Sequence, residues 1–293
     1  MKHIAEAMTS RSAAGSASGL GHLKTLEQRL LWLSAWTVHN ANHLREKADD
    51  DVKVGGHQAS CASMVSILTA LYFDALRPED RVAVKPHAAP VFHAMHYLMG
   101  NQTREKLENF RGYGGAQSYP SRTKDVDDVD FSTGSVGLGV AQTLFASLVQ
   151  DYVKAHGWMK ERPEGRMIAL VGDAEMDEGN IFEALLEGWK HGLRNTWWIV
   201  DYNRQSLDAV VREGLWQRFE SIKSTSSNSL VLKSLAASDM ERKSDSRQHS
   251  VQYIKCVRAL LRISSIRSNS TTISRLPGAF IIGRTALESC RML

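Results

Sequence analysis

The sequence predicts an α/β protein built on a mostly parallel sheet. Two apolar runs, at residues 167–171 and 196–200, are typical of strands buried on both faces, and a helical pattern lies between them. This β-α-β order predicts neighbouring parallel strands joined by a right-handed crossover. With 293 residues, of which 43% are hydrophobic and 23% charged, the chain is long enough for a sizeable core.

Apolar residues at helical spacing predict the elements that come before this unit. They indicate helices over residues 23–33 and 61–76, then a short strand at 82–84 and another helix over 90–98. A glycine-rich turn then opens a helix within residues 132–152. Glycines at a helix entrance let the backbone approach a ligand, and the helix N-terminus favours an anion.

Composition excludes several classes of protein. No run approaches 18 uninterrupted apolar residues, so the sequence predicts no membrane span. The first 20 residues lack the apolar core of an export signal, and we expect them to be disordered. Three scattered cysteines form neither a disulfide framework nor a standard zinc site, which indicates a reducing cytoplasm.

The last part of the chain differs abruptly in composition. Residues 221–293 hold 12 lysines and arginines against 4 aspartates and glutamates, whereas the preceding residues hold 24 against 28. The same tail has 16 serines and only two glycines, Gly278 and Gly283. It carries no nucleic-acid-binding motif, so we expect a poorly ordered, basic segment whose sequence comes from a shifted reading frame or a fused, unselected segment.

Two polar residues follow the predicted strands. Asp173 and Asn203 lie at the carboxyl ends of neighbouring parallel strands, where open α/β sheets bind ligands. Carboxylate and amide oxygens suit Mg²⁺, which commonly takes one or two protein groups together with substrate phosphates. The alternative is that Asp173 caps the helix beginning near Gly179 and that Asn203 makes a turn. The spacing alone leaves both interpretations open.

Four segments in chain order resemble the transketolase-like enzymes that use thiamine diphosphate. The four are Gly55-Gly56-His57, Lys85-Pro86-His87-Ala88-Ala89-Pro90, Thr133-Gly134-Ser135-Val136-Gly137-Leu138-Gly139, and Gly172-Asp173-Ala174 followed by Asn203. The resemblance covers residues 21–220 and none of the tail. Residues 175–178 and 203–208 are more similar to the homodimeric 2-oxo acid dehydrogenases, which indicates the decarboxylating first component of pyruvate dehydrogenase.

The resemblance implies a doubly wound sheet of the thiamine diphosphate-binding fold, incomplete in this chain. It implies that Mg²⁺ is ligated by the side chains of Asp173 and Asn203 and by the main-chain oxygen of Gln205. It places His57 and His87 at the diphosphate and substrate entrance, and Glu178 at the dimer contact between two active sites. Because the pKa of histidine lies near working pH, neutral or protonated rings of His57 and His87 suit hydrogen bonding at that entrance. The implied cofactor-binding residues are Gly134, Ser135, Val136, Gly137, Leu138, Gly172, Asp173, Ala174, Glu175 and Asn203.

The implied activity is oxidative decarboxylation of pyruvate with transfer of the acetyl group to lipoamide. The implied partners are pyruvate, a lipoyl-bearing acyltransferase component and a second copy of the chain, with no nucleic acid and no membrane. Members of the family continue into a pyrimidine-binding domain whose glutamate activates the cofactor, so we expect this truncated chain to be inactive alone. Transketolase-type ketol transfer and a non-catalytic remnant of the fold are the alternatives.

The chain departs from the family pattern at two positions in this region. Ala174 replaces the usual second glycine, which costs about 1 kcal/mol if the backbone there needs a positive φ. Ser121 follows the Ser118-Tyr119-Pro120 loop where the family often has a histidine, so a substrate-side proton donor is expected to be missing.

Several other residues are predicted to be structural. The histidines at positions 39, 43, 93 and 96 lack the partners of a known metal motif, and Cys61, Trp197 and Trp198 are expected in the core.

Overall fold

A computed structural model of the chain describes residues 17–46, 54–134, 136–201, 205–206, 209–210 and 279–283. The chain divides into two compact units. The first unit is Met1–Pro78, Val84–Val136 and Leu287–Leu293, and the second unit is Glu79–Ala83 and Gly137–Ala286.

The regular secondary structure of the first unit, within its described residues, is helical. Helix α1 is Ala17–His39 and α2 is Gln58–Ala70, and each continues into a π-helical turn, Asn40–Leu44 and Leu71–Ala75. Helices α3, Ala89–Leu98, and α4, Arg104–Glu108, follow.

Helix α1 packs on α2 and α3. The side chains of Leu30, Met64, Leu68, Phe92 and Met95 in these helices are fully buried. Their helical spacing therefore marks the core-facing side of each helix.

The second unit contains a four-stranded parallel sheet. Its strands are β1, Arg81–Ala83; β2, Met167–Gly172; β3, Thr196–Asp201; and β6, Ala279–Gly283, in the order β1-β2-β3-β6. A separate antiparallel pair is formed by β4, Gln205–Ser206, and β5, Ala209–Val210.

Two helices cover this sheet. Helices α5, Leu138–Ala155, and α6, Gly179–Lys190, pack against each other, with Leu144 meeting Gly188. Both strands β2 and β3 are buried over nearly their whole length, because side chains on both faces are covered. The parallel register pairs Gly172 with Asp201, so the carboxyl ends of the two strands lie side by side.

The predicted α/β class is confirmed, and the β-α-β unit lies within a few residues of its expected bounds. Cys61, Trp197 and Trp198 are buried, as predicted. Trp189 is 68% exposed, although helical spacing places it on the same face of α6 as the buried Ile181. The short helix α4 was not predicted, since its five residues carry no full amphipathic period.

The two ends of the chain differ from the expectations in detail. Helix α1 begins at Ala17, within the segment expected to be disordered, and residues 1–16 lie outside the described residues. The tail contributes strand β6 to the sheet, and its other residues lie outside the described part of the chain. Among the described residues, no helix combines the length and apolarity that a membrane crossing needs.

Candidate active site

The predicted site residues are distributed over both units. His57, His87 and Gly134 belong to the first unit, whereas Gly137 and Asp173 belong to the second.

In the first unit, His57 and His87 are brought together. His57 precedes helix α2 and His87 lies in a 3₁₀ turn, Pro86–Ala88, that leads into α3. Their ring centroids are 4.7 Å apart in an edge-on contact. The thiol of Cys61 donates to the backbone carbonyl of His87 at 3.4 Å, which holds that turn on α2.

The surroundings of this histidine pair are cationic. Partial burial, together with neighbouring His57, Lys85 and Arg111, lowers the pKa of His87 to about 4. The pKa of His57 is also lowered, first by burial and then by Arg111 and Lys85. The expectation of a pKa near working pH is therefore corrected for His87, and the pKa of His57 shifts in the same direction, because a second positive charge beside Lys85 and Arg111 is unfavourable.

Arg111 is a residue that the sequence interpretation missed. It has a positive φ of 61°, and its guanidinium donates to the carbonyl of Val54 at 2.8 Å. A Cβ on Gly55, whose φ is +86°, would lie 2.6 Å from that guanidinium, so glycine is required for this approach. The signal in the sequence is that Arg111 lies between an aromatic residue, Phe110, and the glycine-rich stretch 112–115.

Arg111 also lines a cavity of about 390 Å³ in the first unit. The lining residues are Val54, Arg111, Gly112, Gln117, Ser118 and Tyr119. The wall therefore includes the Ser118-Tyr119 segment that was singled out as a substrate-side loop.

The glycine-rich turn is anchored through Thr133. Its hydroxyl donates to the carbonyl of Val84 at 3.0 Å, and its backbone N–H donates to the carbonyl of Pro120 at 3.2 Å. Gly134 is exposed with open space around it, and Val136 is half-buried. Ser135 lies outside the described residues.

In the second unit, Asp173 is buried directly after strand β2. Its backbone N–H donates to the carbonyl of Asp201 at 3.2 Å, and its carboxylate accepts from the N–H of Ala174 at 3.0 Å. It thereby caps a 3₁₀ turn, Ala174–Asp177, rather than helix α6, which begins after Glu178. The alternative that Asp173 caps the helix near Gly179 is corrected, because a separate turn lies between them.

Asp201 is a second buried carboxylate that the sequence interpretation did not select. It ends β3 opposite Gly172, and its side chain is fully buried. Its position as the last residue of an apolar run is the signal that could have identified it.

Glu175 joins the two turns of this half. Its buried carboxylate accepts from the N–H of Gly137 at 2.7 Å and from the N–H of Gly172 at 3.0 Å. These two N–H groups are therefore satisfied within the protein. Gly137 begins helix α5 with a φ of +81°, and a Cβ there would lie 2.4 Å from the side-chain oxygen of Asn180.

The other predicted residues are placed as follows. Leu138 and Glu178 are exposed, and Gln205 lies in β4, where it pairs with Val210. Ala174 opens the 3₁₀ turn and is absent from the residues with positive φ, so the predicted glycine-to-alanine penalty does not apply. Asn203 lies outside the described residues.

Each unit carries polar groups of its own chemical character. Buried carboxylates at the ends of β2 and β3 are hard oxygen donors of the kind that Mg²⁺ prefers. In the first unit, Lys85 and Arg111 surround the histidine pair, and no carboxylate is among the groups that shift the pKa of either ring. Such surroundings favour an anionic ligand.

Bacterial pyruvate dehydrogenases are among the proteins that this chain resembles in sequence. The chain is 30% identical to the pyruvate dehydrogenase E1 component of Mycobacterium tuberculosis over 192 residues, covering 62% of this chain and 20% of that protein. It is 31% identical to the enzyme of the same name from Pseudomonas aeruginosa over 198 residues, covering 64% and 22%. The chain thus spans about a fifth of the length of these curated relatives.

The fold is that of solved transketolases. The transketolase of Leishmania mexicana superposes with a TM-score of 0.66 at 17% identity, covering 89% of this chain and 36% of that one. The family model described as 1-deoxy-D-xylulose-5-phosphate synthase matches residues 25–265. The chain therefore belongs to the 1-deoxy-D-xylulose-5-phosphate synthase family, as an N-terminal section of a transketolase-like thiamine diphosphate enzyme.

Proposed function

We propose that this chain is the diphosphate-binding section of a thiamine diphosphate- and Mg²⁺-dependent pyruvate dehydrogenase. The observation that carries the proposal is the buried carboxylate of Asp173 at the carboxyl end of β2, beside the end of β3. Asp173, the Asn203 side chain and the Gln205 main-chain oxygen would hold Mg²⁺. Bound thiamine diphosphate supplies the electron sink that permits loss of CO₂ from a 2-oxo acid.

The protein's own residues have separable roles in this proposal. The carboxylate of Glu175 fixes the turns at Gly137 and Gly172, so these glycines would shape the cofactor surface rather than donate to it. Gly134, Ser135, Val136 and Leu138 would approach the cofactor along the remainder of the glycine-rich turn. The rings of His57 and His87 would donate hydrogen bonds at the diphosphate and substrate entrance.

The test is binding of thiamine diphosphate to the full chain by isothermal titration calorimetry, with and without Mg²⁺. We expect Mg²⁺-dependent binding that Asp173→Asn weakens by about tenfold or more. Asp177→Asn, which removes an exposed carboxylate from the same turn, is the matched control and should leave the affinity unchanged. Binding that needs no Mg²⁺, or that both variants weaken equally, would overturn the metal assignment.

The complete reaction is proposed for the longer protein. It would decarboxylate pyruvate and transfer the acetyl group to the lipoyl group of an acyltransferase partner, in the reducing cytoplasm. We propose that the purified chain alone releases no CO₂ from pyruvate above background when cofactor and Mg²⁺ are supplied. CO₂ release that Asp173→Asn abolishes would contradict this.

Transketolase-type ketol transfer is the second candidate, because the family match is to 1-deoxy-D-xylulose-5-phosphate synthase. The two candidates differ in the acceptor. An enzyme completed with its remaining domains would transfer the two-carbon unit to lipoamide in the first case and to a sugar-phosphate aldehyde in the second. Product analysis with both acceptors present separates them.

A second copy of the chain is the proposed subunit partner. Helix α5 exposes Phe145, Val149 and Tyr152 at helical spacing, and α6 exposes Phe182, Leu186 and Trp189, with exposed fractions from 39% to 68%. Exposed apolar stripes of this kind mark contact surfaces, and the exposed Glu178 precedes α6. Leu186→Glu should convert a dimer to a monomer in sedimentation velocity, whereas Tyr113→Glu, at an exposed aromatic residue in the other unit, should not. A dimer unaffected by Leu186→Glu would remove this surface from the interface.

The origin of residues 221–293 stays a proposal as well. The break in charge, serine and glycine content at residue 221 supports a shifted reading frame or a fused segment. The family match, which extends to residue 265, predicts family sequence for the first part of this tail instead. Translating the other frames from the codon of Ser221 decides between them: a family-like continuation in another frame is the expected result, and its absence would exclude a frameshift.

A further inference from the structure

His93, on helix α3, lies between two hydrogen-bond acceptors and is fully buried. Its Nδ1 contacts the carboxylate of Asp127, and its Nε2 lies 2.7 Å from the carbonyl oxygen of Gln117. A neutral imidazole carries only one N–H, so it satisfies one of these acceptors and turns a lone pair towards the other. The geometry therefore fits an imidazolium, which donates from both ring nitrogens.

The segment that His93 contacts is held from its other side too. One carboxylate oxygen of Asp125 accepts from the N–H of Gln117 at 3.0 Å, and the other accepts from the N–H of Ser121 at 2.8 Å. Gln102 donates to the Asp127 carboxylate at 2.9 Å. The backbone of Gln117 is thus held through both its N–H and its carbonyl. Gln117 is also one of the residues that line the 390 Å³ cavity.

The charges around His93 favour its protonated form. Burial lowers the pKa of His93, but Asp127, Asp125 and the Gln117 carbonyl raise it, and the net direction is upward. His96, on the same helix, has a pKa lowered to about 4 by burial and stays neutral.

No lysine or arginine is among the groups that shift the pKa of His93. The rings of Phe92 and Phe110 pack against it, with centroids 5.7 and 6.3 Å away. The pKa of Tyr72 is raised well above its usual value, first by burial and then by the negative charges of three aspartates, so Tyr72 stays a phenol. The three are Asp127, Asp128 and Asp130. Among these groups, His93 alone carries the charge that balances Asp127.

His93, Asp125 and Asp127 also meet the spacing of a metal-ligand group. Both nitrogens of His93 face acceptors within the protein, so neither offers a free lone pair to a cation. The cluster is better explained as a buried ion pair, in which loss of either partner is costly.

We propose that His93 is a positioning residue that, as a buried imidazolium, holds residues 117–121 against helix α3 and releases this wall of the cavity when it is deprotonated. The proposal is independent of the reaction that the protein performs. Because the pKa of His93 is raised in the folded state, the stabilisation is fully present below the usual pKa of 6.5 and is lost as the pH rises through the folded value.

The first measurement is the protonation state of His93 in the full chain, by NMR of ring-¹⁵N-labelled histidine with His93→Gln used for assignment. We expect two protonated ring nitrogens at neutral pH and a titration midpoint above that of the exposed histidines. A ring with a single N–H at pH 7 would overturn the proposal.

The second measurement is hydrogen exchange of the Gln117 and Ser121 amides across pH, corrected for the intrinsic rate. Their protection should fall at the pH at which the His93 ring titrates, by about tenfold for each unit by which folding raises its pKa. Protection that does not change with pH would show that the segment is held without the charge, and the proposal would fail.

Asp127→Asn provides a variant that does not depend on replacing His93. An asparagine oxygen still accepts from Nδ1 but carries no charge, so both the ring titration and the loss of protection should move together to lower pH. Asp128→Asn, at an exposed neighbour, removes the same charge and should move neither. An equal shift in both variants would mean that general loop charge, rather than the buried pair, sets the midpoint, and would contradict the proposal.

Discussion

The carboxylate of Glu175 accepts a hydrogen bond from the backbone N–H of Gly137 at 2.7 Å, although the two residues are 38 positions apart. The other oxygen of the same carboxylate accepts from Gly172 at 3.0 Å. One buried side chain therefore connects the entrance of helix α5 to the turn after strand β2. Both turns belong to the proposed cofactor site, so their relative placement depends on Glu175.

Glu175→Gln should destabilise the protein. An amide cannot accept on both sides, so one buried N–H loses its partner, at a cost of about 1–3 kcal/mol in the free energy of unfolding. Urea denaturation measures this loss. Glu183→Gln, at an exposed position of α6, is the control, and equal effects of the two substitutions would contradict the bridging role.

Gly137→Ala should destabilise the same turn for a different reason. A left-handed backbone at a φ of +81° costs a non-glycine residue about 1–2 kcal/mol, and the new Cβ also meets the Asn180 side chain. Gly157→Ala, at a φ of +70° with open space around it, isolates the backbone cost. In thermal or urea unfolding, Gly137→Ala should therefore have a lower free energy of unfolding than Gly157→Ala. The reverse order would show that the Asn180 side chain moves aside freely.

Acid should destabilise the first unit through His96. Neither of its ring nitrogens has a hydrogen-bond partner among the described residues, and burial lowers its pKa from 6.5 to about 4. Since the unfolded chain binds the proton first, stability is present above pH 6.5 and falls by about 3 kcal/mol as the pH drops through the folded value.

His96→Leu should remove that part of the acid sensitivity. We expect its free energy of unfolding to fall less steeply than that of the wild type between pH 6.5 and 4. His22→Leu, which replaces an exposed histidine, should keep the wild-type slope. Parallel pH profiles for His96→Leu and the wild type would show that His96 is not the group responsible.

The sequence predicted those parts of the molecule whose determinants are local. The apolar runs that became β2 and β3 identify themselves by period and length, and Asp173 follows from its position at the end of one of them. Three contacts join segments that are distant in the chain. They are the hydrogen bonds of Glu175 with Gly137, of Arg111 with Val54 and of His93 with Gln117. No periodicity encodes such contacts, because they depend on how turns meet after folding.

Histidine protonation shows the same limit. The structure brings the rings of His57 and His87 into contact, but their pKa values were expected near working pH. The downward shift of the His87 pKa comes from burial and from neighbouring His57, Lys85 and Arg111, and Arg111 was not predicted to be near. Residue type gives the unperturbed pKa, whereas the sign of its shift requires the packed neighbours.

Strand β6 is the part of the tail that the structure places in the sheet. Ile281 pairs with Ile199 of β3, so Ile281→Pro removes a backbone donor from the middle of this strand. We expect the free energy of unfolding to fall by about 1–3 kcal/mol, and β3 to become an edge strand prone to association. Ser264→Pro, elsewhere in the tail, is the control for proline itself. If both substitutions leave the unfolding free energy unchanged, β6 contributes nothing to the folded sheet, and the interpretation of residues 221–293 as an unselected segment gains support.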